Sequence, residues 1–209
     1  MILGIIPARG GSKAIPRKNI KMIAGKPLIA WTIESAKRSS LLDNFVVSTE
    51  DKEIAEISKK YGAEVVVRPD ELATDEATTL SVLQHVLSVI ESDTVVLLQP
   101  TSPVRDTNLI DKCIRRFRER GADTLATGFI CKFMEYGTYT KRRQDLEGFF
   151  YDDGNVYVIK TDLIKKGKVF GEKAERFETT KEQNIEIDDD FDFWAAEQAL
   201  LRRIKEGRQ

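Results

Sequence analysis

Histidine is almost missing from this chain. Of 209 residues only His85 carries an imidazole, and it falls on an amphipathic stretch away from the predicted loops. That excludes a histidine-based catalytic triad and leaves His85 a structural residue. Cysteine is nearly as scarce: Cys113 and Cys131 form no C-x-x-C pair. Their number excludes a disulfide scaffold or zinc module, and both read as small buried apolar residues. No apolar run approaches the roughly 20 residues of a membrane helix. The opening MILGIIPARGG has no charged leader and a short apolar run, so a soluble cytoplasmic chain is expected. Net charge is close to absent as well. The 33 basic and 34 acidic residues leave −1, against the net basic surface of a nucleic-acid binder.

The 41% hydrophobic content supports one domain of ordinary to large size, expected to span 1–209, while 32% charged residues exceed the average of about a quarter. Short apolar runs read as strands buried on both faces: Ile2–Pro7, Phe45–Thr49, Glu64–Val67, Thr94–Gln99, Thr124–Phe129 and Asn155–Ile159. Between them, helices are predicted over Leu28–Ser39, Asp51–Tyr61 with Asp51 as cap, Thr78–Ile90, Asn108–Phe117 and Asp190–Ile204. Strand–helix alternation predicts an α/β fold with a mostly parallel sheet flanked by helices. Trp31 and Trp194 lie on helices and are expected in the core or at an interface. The segment 131–153, rich in Lys, Arg, Tyr and Phe, breaks the rhythm and reads as a flap, a small hairpin or an oligomer contact.

Charge is unevenly placed. Residues 1–40 hold eight basic side chains against Glu34 alone, whereas Glu186, Asp188, Asp189, Asp190 and Asp192 form an acidic knot near the C-terminus. The loop Pro7-Ala8-Arg9-Gly10-Gly11-Ser12-Lys13 follows the first strand, where open α/β sheets bind ligands. Glycines let backbone N–H groups approach phosphate oxygens, and Arg9 and Lys13 supply charge. The pattern is neither a Walker A loop nor a G-x-G-x-x-G fingerprint. A tight turn with exposed bases is the plainer alternative.

The run IPARGGSKAIPRKNI, followed by Ala24-Gly25-Lys26-Pro27-Leu28, resembles the N-terminus of the acylneuraminate cytidylyltransferases, the CMP-sialic acid synthetases. Further matches follow in order: Val46–Asp51 (VVSTED), Arg68–Ala73 (RPDELA), Leu97–Arg105 (LLQPTSPVR) and Ile185–Asp188 ahead of a helix. The resemblance implies a nucleotide-diphospho-sugar transferase (Rossmann-like) fold, and a reaction joining CTP to an acidic 2-keto sugar with Mg²⁺, giving the CMP-sugar and pyrophosphate. It further implies that Arg9 and Lys13 hold the triphosphate, with Ala8, Gly10, Gly11 and Ser12 as the rest of the loop. Lys18 and Asn19 then complete the nucleotide site, and Arg68 and Thr79 lie by the base. Arg68 as a strand cap and Thr79 as an ordinary early-helix residue are the plainer alternatives.

Gln99, by the same resemblance, faces the acidic sugar, with Thr101 and Ser102 beside it on a loop stiffened by two prolines; a simple stiff turn is the alternative. Arg142, Arg143 and Tyr151 are the expected sugar contacts from the divergent segment, with Lys132 and Lys141 as further cations. Asp188 and Glu186 alternate at a predicted strand end and so share a face, as Mg²⁺ ligands would. The plainer role for the knot is helix capping, with Asp189 or Asp190 as cap. Ala14 stands where the family usually has glycine, Glu186 where it has aspartate. Tyr151–Asn155 replaces a stretch that commonly carries an arginine and a proline. A homodimer is expected. Two other functions compete: nucleotidyl transfer to a different sugar or sugar phosphate, and a non-catalytic nucleotide-binding fold-mate.

Overall fold

The computed structural model describes residues 1–208. Its frame is a seven-stranded sheet ordered β5-β4-β1-β6-β8-β7-β9. The parallel half comprises β1 (Ile2–Pro7), β4 (Asn44–Thr49), β5 (Glu64–Val67) and β6 (Thr94–Leu97). β8 (Phe149–Lys160) runs antiparallel to β6 and to β7 (Thr124–Cys131), and β9 (Ala174–Glu178) closes the far edge parallel to β7. The expected mostly parallel α/β sheet is present, with β8 as its one reversed strand.

Residue alternation along β1 divides the core. Ile2 and Ile6 face α1 (Leu28–Arg38), α2 (Lys52–Lys60) and α4 (Leu109–Arg120), while Leu3 and Ile5 face α3 (Thr79–Val89) and the short α5 (Thr161–Lys165). Both faces are covered, hence the near-continuous apolar runs. A third cluster packs Leu28 and Trp31 of α1 against Phe193, Ala196 and Leu200 of α6 (Asp190–Lys205). Among the described residues no helix is long and apolar enough to cross a membrane.

Caps fix the helix starts beside the sheet's carboxyl edge. Asp51 accepts from the Ile54 N–H at 2.9 Å, as its predicted capping role requires. Asp189 accepts from the N–H groups of Phe191 and Asp192 at 2.9 Å each, and Asp192 answers by accepting from the Asp189 N–H at 3.2 Å, a capping box. Gly121, with φ of 55°, ends α4 three residues beyond the predicted Phe117.

Several expectations are corrected. β6 stops at Leu97, and Gln99 lies beyond the ladder because Arg105 takes its carbonyl. β8 begins at Phe149 rather than Asn155, pairing Phe149 with Cys131 and Asp152 with Gly128 beyond a bulge that separates them from the Ala126–Tyr157 pair. The 131–153 segment is therefore the end of a long hairpin, β2 (Met22–Ile23) and β3 (Lys26–Pro27) forming a much smaller one. The stretch holding Glu186 and Asp188 is not in a strand; its tie is the Ile187 N–H to the Thr101 carbonyl at 2.8 Å. Trp31 is in the core, but Trp194 is 56% exposed against Phe191. Ala14 keeps negative φ, so the missing glycine costs no backbone strain there.

Candidate functional site

The parallel strand order reverses beside β1, which leaves a crevice past the carboxyl ends of β1 and β6. A cleft of about 450 Å³ occupies it. One wall is the loop after β1, with Arg9, Ser12 and Lys13, continued by Lys18 and Asn19. The second is the segment after β5, running from Arg68 through Thr74 and Asp75 to Thr79 at the start of α3. Gln99 and Thr101 form the third side, and Asp188 closes the rim.

The loop after β1 is shaped by carboxylates behind it. A Cβ on Gly10 would lie 2.5 Å from Asp51 Oδ2, so only glycine fits there without a shift. The Gly10 N–H donates to Glu50 Oε1 at 2.7 Å. Arg17, left-handed at φ 57°, grips Asp51 with both terminal guanidinium nitrogens and reaches Glu53 at 2.6 Å. Arg17 is the chief reason the Asp51 carboxyl titrates below the usual carboxylate range. The buried Asn19 donates to the Arg9 carbonyl at 3.0 Å and pins the loop from beneath.

Four cations meet at the cleft by different means. Lys18 is half-buried and donates to the Ile187 carbonyl at 2.6 Å. Burial pushes its pKa below the ordinary lysine value, against the opposing pull of Asp188 and Glu186. Arg9 and Lys13 both reach Asp75, at 2.7 and 2.6 Å. Arg68 is only 5% exposed, and its Nε and Nη2 both bond Glu50 Oε2 at 3.0 Å. Glu50 thus ties the first wall to the second through one carboxylate.

Beneath Gln99 sits a buried guanidinium to which the sequence reading gave no role. Arg105 donates to the carbonyls of Gln99 (2.7 Å) and Asn155 (3.0 and 3.2 Å) and to Thr32 Oγ1 (2.7 Å). Burial brings its pKa down to about 9. These bonds fix the Gln99–Pro103 loop, and the Thr101 hydroxyl has no hydrogen-bond partner among the described residues.

The remaining expected site residues divide into supports and outliers. Ala8 is buried, Gly10 rests against Asp51, Gly11 is exposed, and none of the three lines the cleft. Ser102 is fully buried and donates to the Asp153 carbonyl at 3.0 Å, so its hydroxyl faces the interior, not the cleft. Glu186 is half-buried, its carboxyl raised above the ordinary value first by burial, then by Asp188 and Asp152. A Cβ on Gly154 would come within 3.1 Å of Glu186 Oε1, and its φ of +67° also favours glycine. Arg142, Arg143 and Tyr151 are exposed on the hairpin and do not line the cleft. Arg143 stacks on Phe133 at 4.6 Å, and Tyr151 sits 5.7 Å from Phe129, ring centre to ring centre.

A family model described as cytidylyltransferase matches residues 3–186 of the chain. An N-acylneuraminate cytidylyltransferase A of Danio rerio is 33% identical over 219 residues, covering 96% of this chain; the chain spans about half (51%) of that relative's length. A CMP-N,N'-diacetyllegionaminic acid synthase of Legionella pneumophila is 32% identical, with 98% of both chains covered. The solved structure of a CMP:2-keto-3-deoxy-manno-octonic acid synthetase complexed with CTP superposes with a TM-score of 0.78. It covers 97% of this chain and 99% of its own, at 14% identity, a likeness of fold.

Proposed function

The chain belongs to the cytidylyltransferase family, and on that premise we propose that it transfers CMP from CTP to the anomeric hydroxyl of an acidic 2-keto sugar of the sialic acid, legionaminic or pseudaminic type. The observation that carries this reading is the convergence of Arg9, Lys13 and Lys18 with Asp188 on one cleft at the carboxyl ends of β1 and β6. In-line attack of the sugar oxygen on the α-phosphorus forms one O–P bond and breaks another, releasing pyrophosphate. Such a transfer needs positioning and charge neutralisation more than covalent catalysis. Arg9 and Lys13 are assigned to the leaving phosphates, Lys18 and Asn19 to the rest of the nucleotide, and Arg68 and Thr79 to the base side. Gln99 and Thr101 are assigned to the sugar, held in place by Arg105 beneath them.

The donor set suits Mg²⁺. Asp188 presents a carboxylate at the rim, and Glu186 holds its proton more tightly because of burial and neighbouring anions. Two protein carboxylates leave positions for substrate phosphate and water, the ligand set Mg²⁺ commonly takes. When bound by Asp188 and Glu186, Mg²⁺ would supply charge neutralisation at the phosphates.

Residues 1–209 are assigned to a single catalytic unit, supported by one sheet carrying the three main walls of the cleft. We include a homodimer formed through the hairpin, supported by exposed Phe133, Tyr136 and Phe149, and we assign the enzyme to the cytoplasm. The test is pyrophosphate release from CTP and Mg²⁺ with a panel of acidic sugars. Release with a nonulosonic acid is expected. Release only with other sugars supports a different nucleotidyl transfer, and binding without release leaves a fold-mate that does not turn over.

A further inference from the structure

Arg9 and Lys13, the two cations assigned to the leaving phosphates, share a single anion. Arg9 Nη1 lies 2.7 Å from Asp75 Oδ1 and 3.2 Å from the Thr74 carbonyl, while Lys13 Nζ lies 2.6 Å from Asp75 Oδ2. One carboxylate thus spreads its two oxygens over two cations, as the anionic oxygens of a phosphoryl group would. Asp75 belongs to the exposed segment between the 3-10 turn Asp70–Leu72 and α3, and it lines the same cleft. The segment's backbone bonds are local ones: Ala73 N–H to Asp70 at 2.9 Å, Ala77 N–H to Thr74 at 3.4 Å. Glu50 contrasts with it, clamped between Gly10 and the buried Arg68.

We propose that Asp75 is an internal counter-anion seated where the polyphosphate of the nucleotide goes, so that nucleotide binding must displace it. This rests on reading the cleft as the triphosphate site. Without an anion, Arg9 and Lys13 would face the cleft unpaired. Yet the pairs with Asp75 are solvent-exposed, and exposed pairs are individually weak. A triphosphate of about four negative charges outcompetes a single carboxylate for the same cations and repels it from the site. Asp75 therefore sets the affinity of the cleft for phosphate chains. It also assists departure of pyrophosphate, because the carboxylate returns to the cations as the product leaves. A carboxylate such as Asp75 is ionised at neutral pH whether or not it is paired, and Lys13 first and then Arg9 hold its pKa lower still.

Calorimetric titration of CTP, inorganic pyrophosphate and cytidine into the full chain and its variants tests this at one fixed ionic strength. Asp75→Asn is expected to bind CTP and pyrophosphate about fivefold more tightly, the scale of one to two exposed ion pairs. Cytidine, which has no phosphate, should bind unchanged. Asp75→Ser guards against a hydrogen bond retained by asparagine and should behave alike, with melting temperatures confirming folded variants. If Asp75 instead prearranges the cations for substrate, both variants bind CTP more weakly. That result, or unchanged affinity, overturns the inference while Arg9→Ala still weakens CTP and pyrophosphate binding. Should Arg9→Ala leave both ligands unaffected, the phosphate-site reading fails and the inference falls with it.

Discussion

Asp188, Asp189 and Asp190 carry the same charge on adjacent residues and stand in three different situations. Asp188 lines the cleft, Asp189 caps α6, and Asp190 turns to Lys21 at 3.3 Å. A shared charge therefore does not imply a shared role. Asp188→Asn is expected to lower turnover about a hundredfold and to raise the Mg²⁺ concentration needed for half-maximal rate, since a charge-stabilising group at the reacting phosphates is lost. Folding should survive, because the helix cap is elsewhere. Asp190→Asn should change neither activity nor stability by more than a surface substitution does, about 0.5 kcal/mol. Rates measured across a Mg²⁺ series decide the matter: a damaged Asp190→Asn beside a normal Asp188→Asn reverses the assignment. Arg9, Lys13 and Asp188 were legible from charge at a strand end and ahead of a helix, whereas Lys18, Asn19, Arg68, Thr79, Gln99 and Thr101 were joined to them through the family resemblance; the fold brings all nine to one cleft. Glu50, Asp75 and Arg105 were not, because their partners lie 18, 66 and 50 positions away and their roles exist only after folding.

The best-read elements are those whose own residues determine their state. β5 has the expected bounds, and α2 begins after its expected cap, because apolar alternation and capping act within a few residues. The first half of β8 and the whole of β9 escaped notice for the opposite reason. Phe149–Asn155 contains Asp152-Asp153-Gly154-Asn155, turn-forming residues by composition, yet Asp153 accepts from the Thr127 and Thr179 hydroxyls at 2.6 Å each and so satisfies a buried strand position. β9, Ala174–Glu178, is a charged edge strand that pairs with β7. At α2 the same coupling of a cap to a distant residue makes a pH test. Arg17 lowers the Asp51 pKa, so the contribution is present above the unfolded value near pH 3.9 and is lost as pH falls through the lower folded value. Asp51→Asn keeps the cap but loses the ion pair, and about 1 kcal/mol is expected at pH 7, a surface-scale figure because Arg17 remains 39% exposed. The gap between wild type and variant should close in thermal melts taken from pH 5 downwards. A gap that widens with acid contradicts this account.

Across the whole molecule, the cleft and the hairpin are separate pieces of architecture. The cleft is built on the parallel half of the sheet, whose strands are covered on both faces. The hairpin extends β7 and β8 beyond the bulge, and its side chains meet mainly each other and solvent: Arg143 on Phe133, Lys132 on the Gln144 carbonyl at 2.8 Å, and Tyr136 wholly exposed. Nucleotide binding should therefore be independent of the hairpin, whereas the proposed dimer depends on it. Cys131 and Phe149 stand directly opposite each other in the ladder. That register allows residues 132–148 to be replaced by Asn-Gly, a two-residue turn whose twist matches antiparallel strands. The shortened protein is expected to melt within a few degrees of wild type, because no core cluster includes a residue of the excised loop. Calorimetry should give an unchanged affinity for CTP. Sedimentation should show a monomer, while the KM values for CTP and for the acceptor sugar should both stay put, since Arg142 and Arg143 do not line the cleft. A shortened protein that still dimerises would remove that role from the hairpin, and a raised KM for the sugar would show that the hairpin reaches the acceptor and that Gln99, Thr101 and the loop that Arg105 holds beneath them do not select it alone.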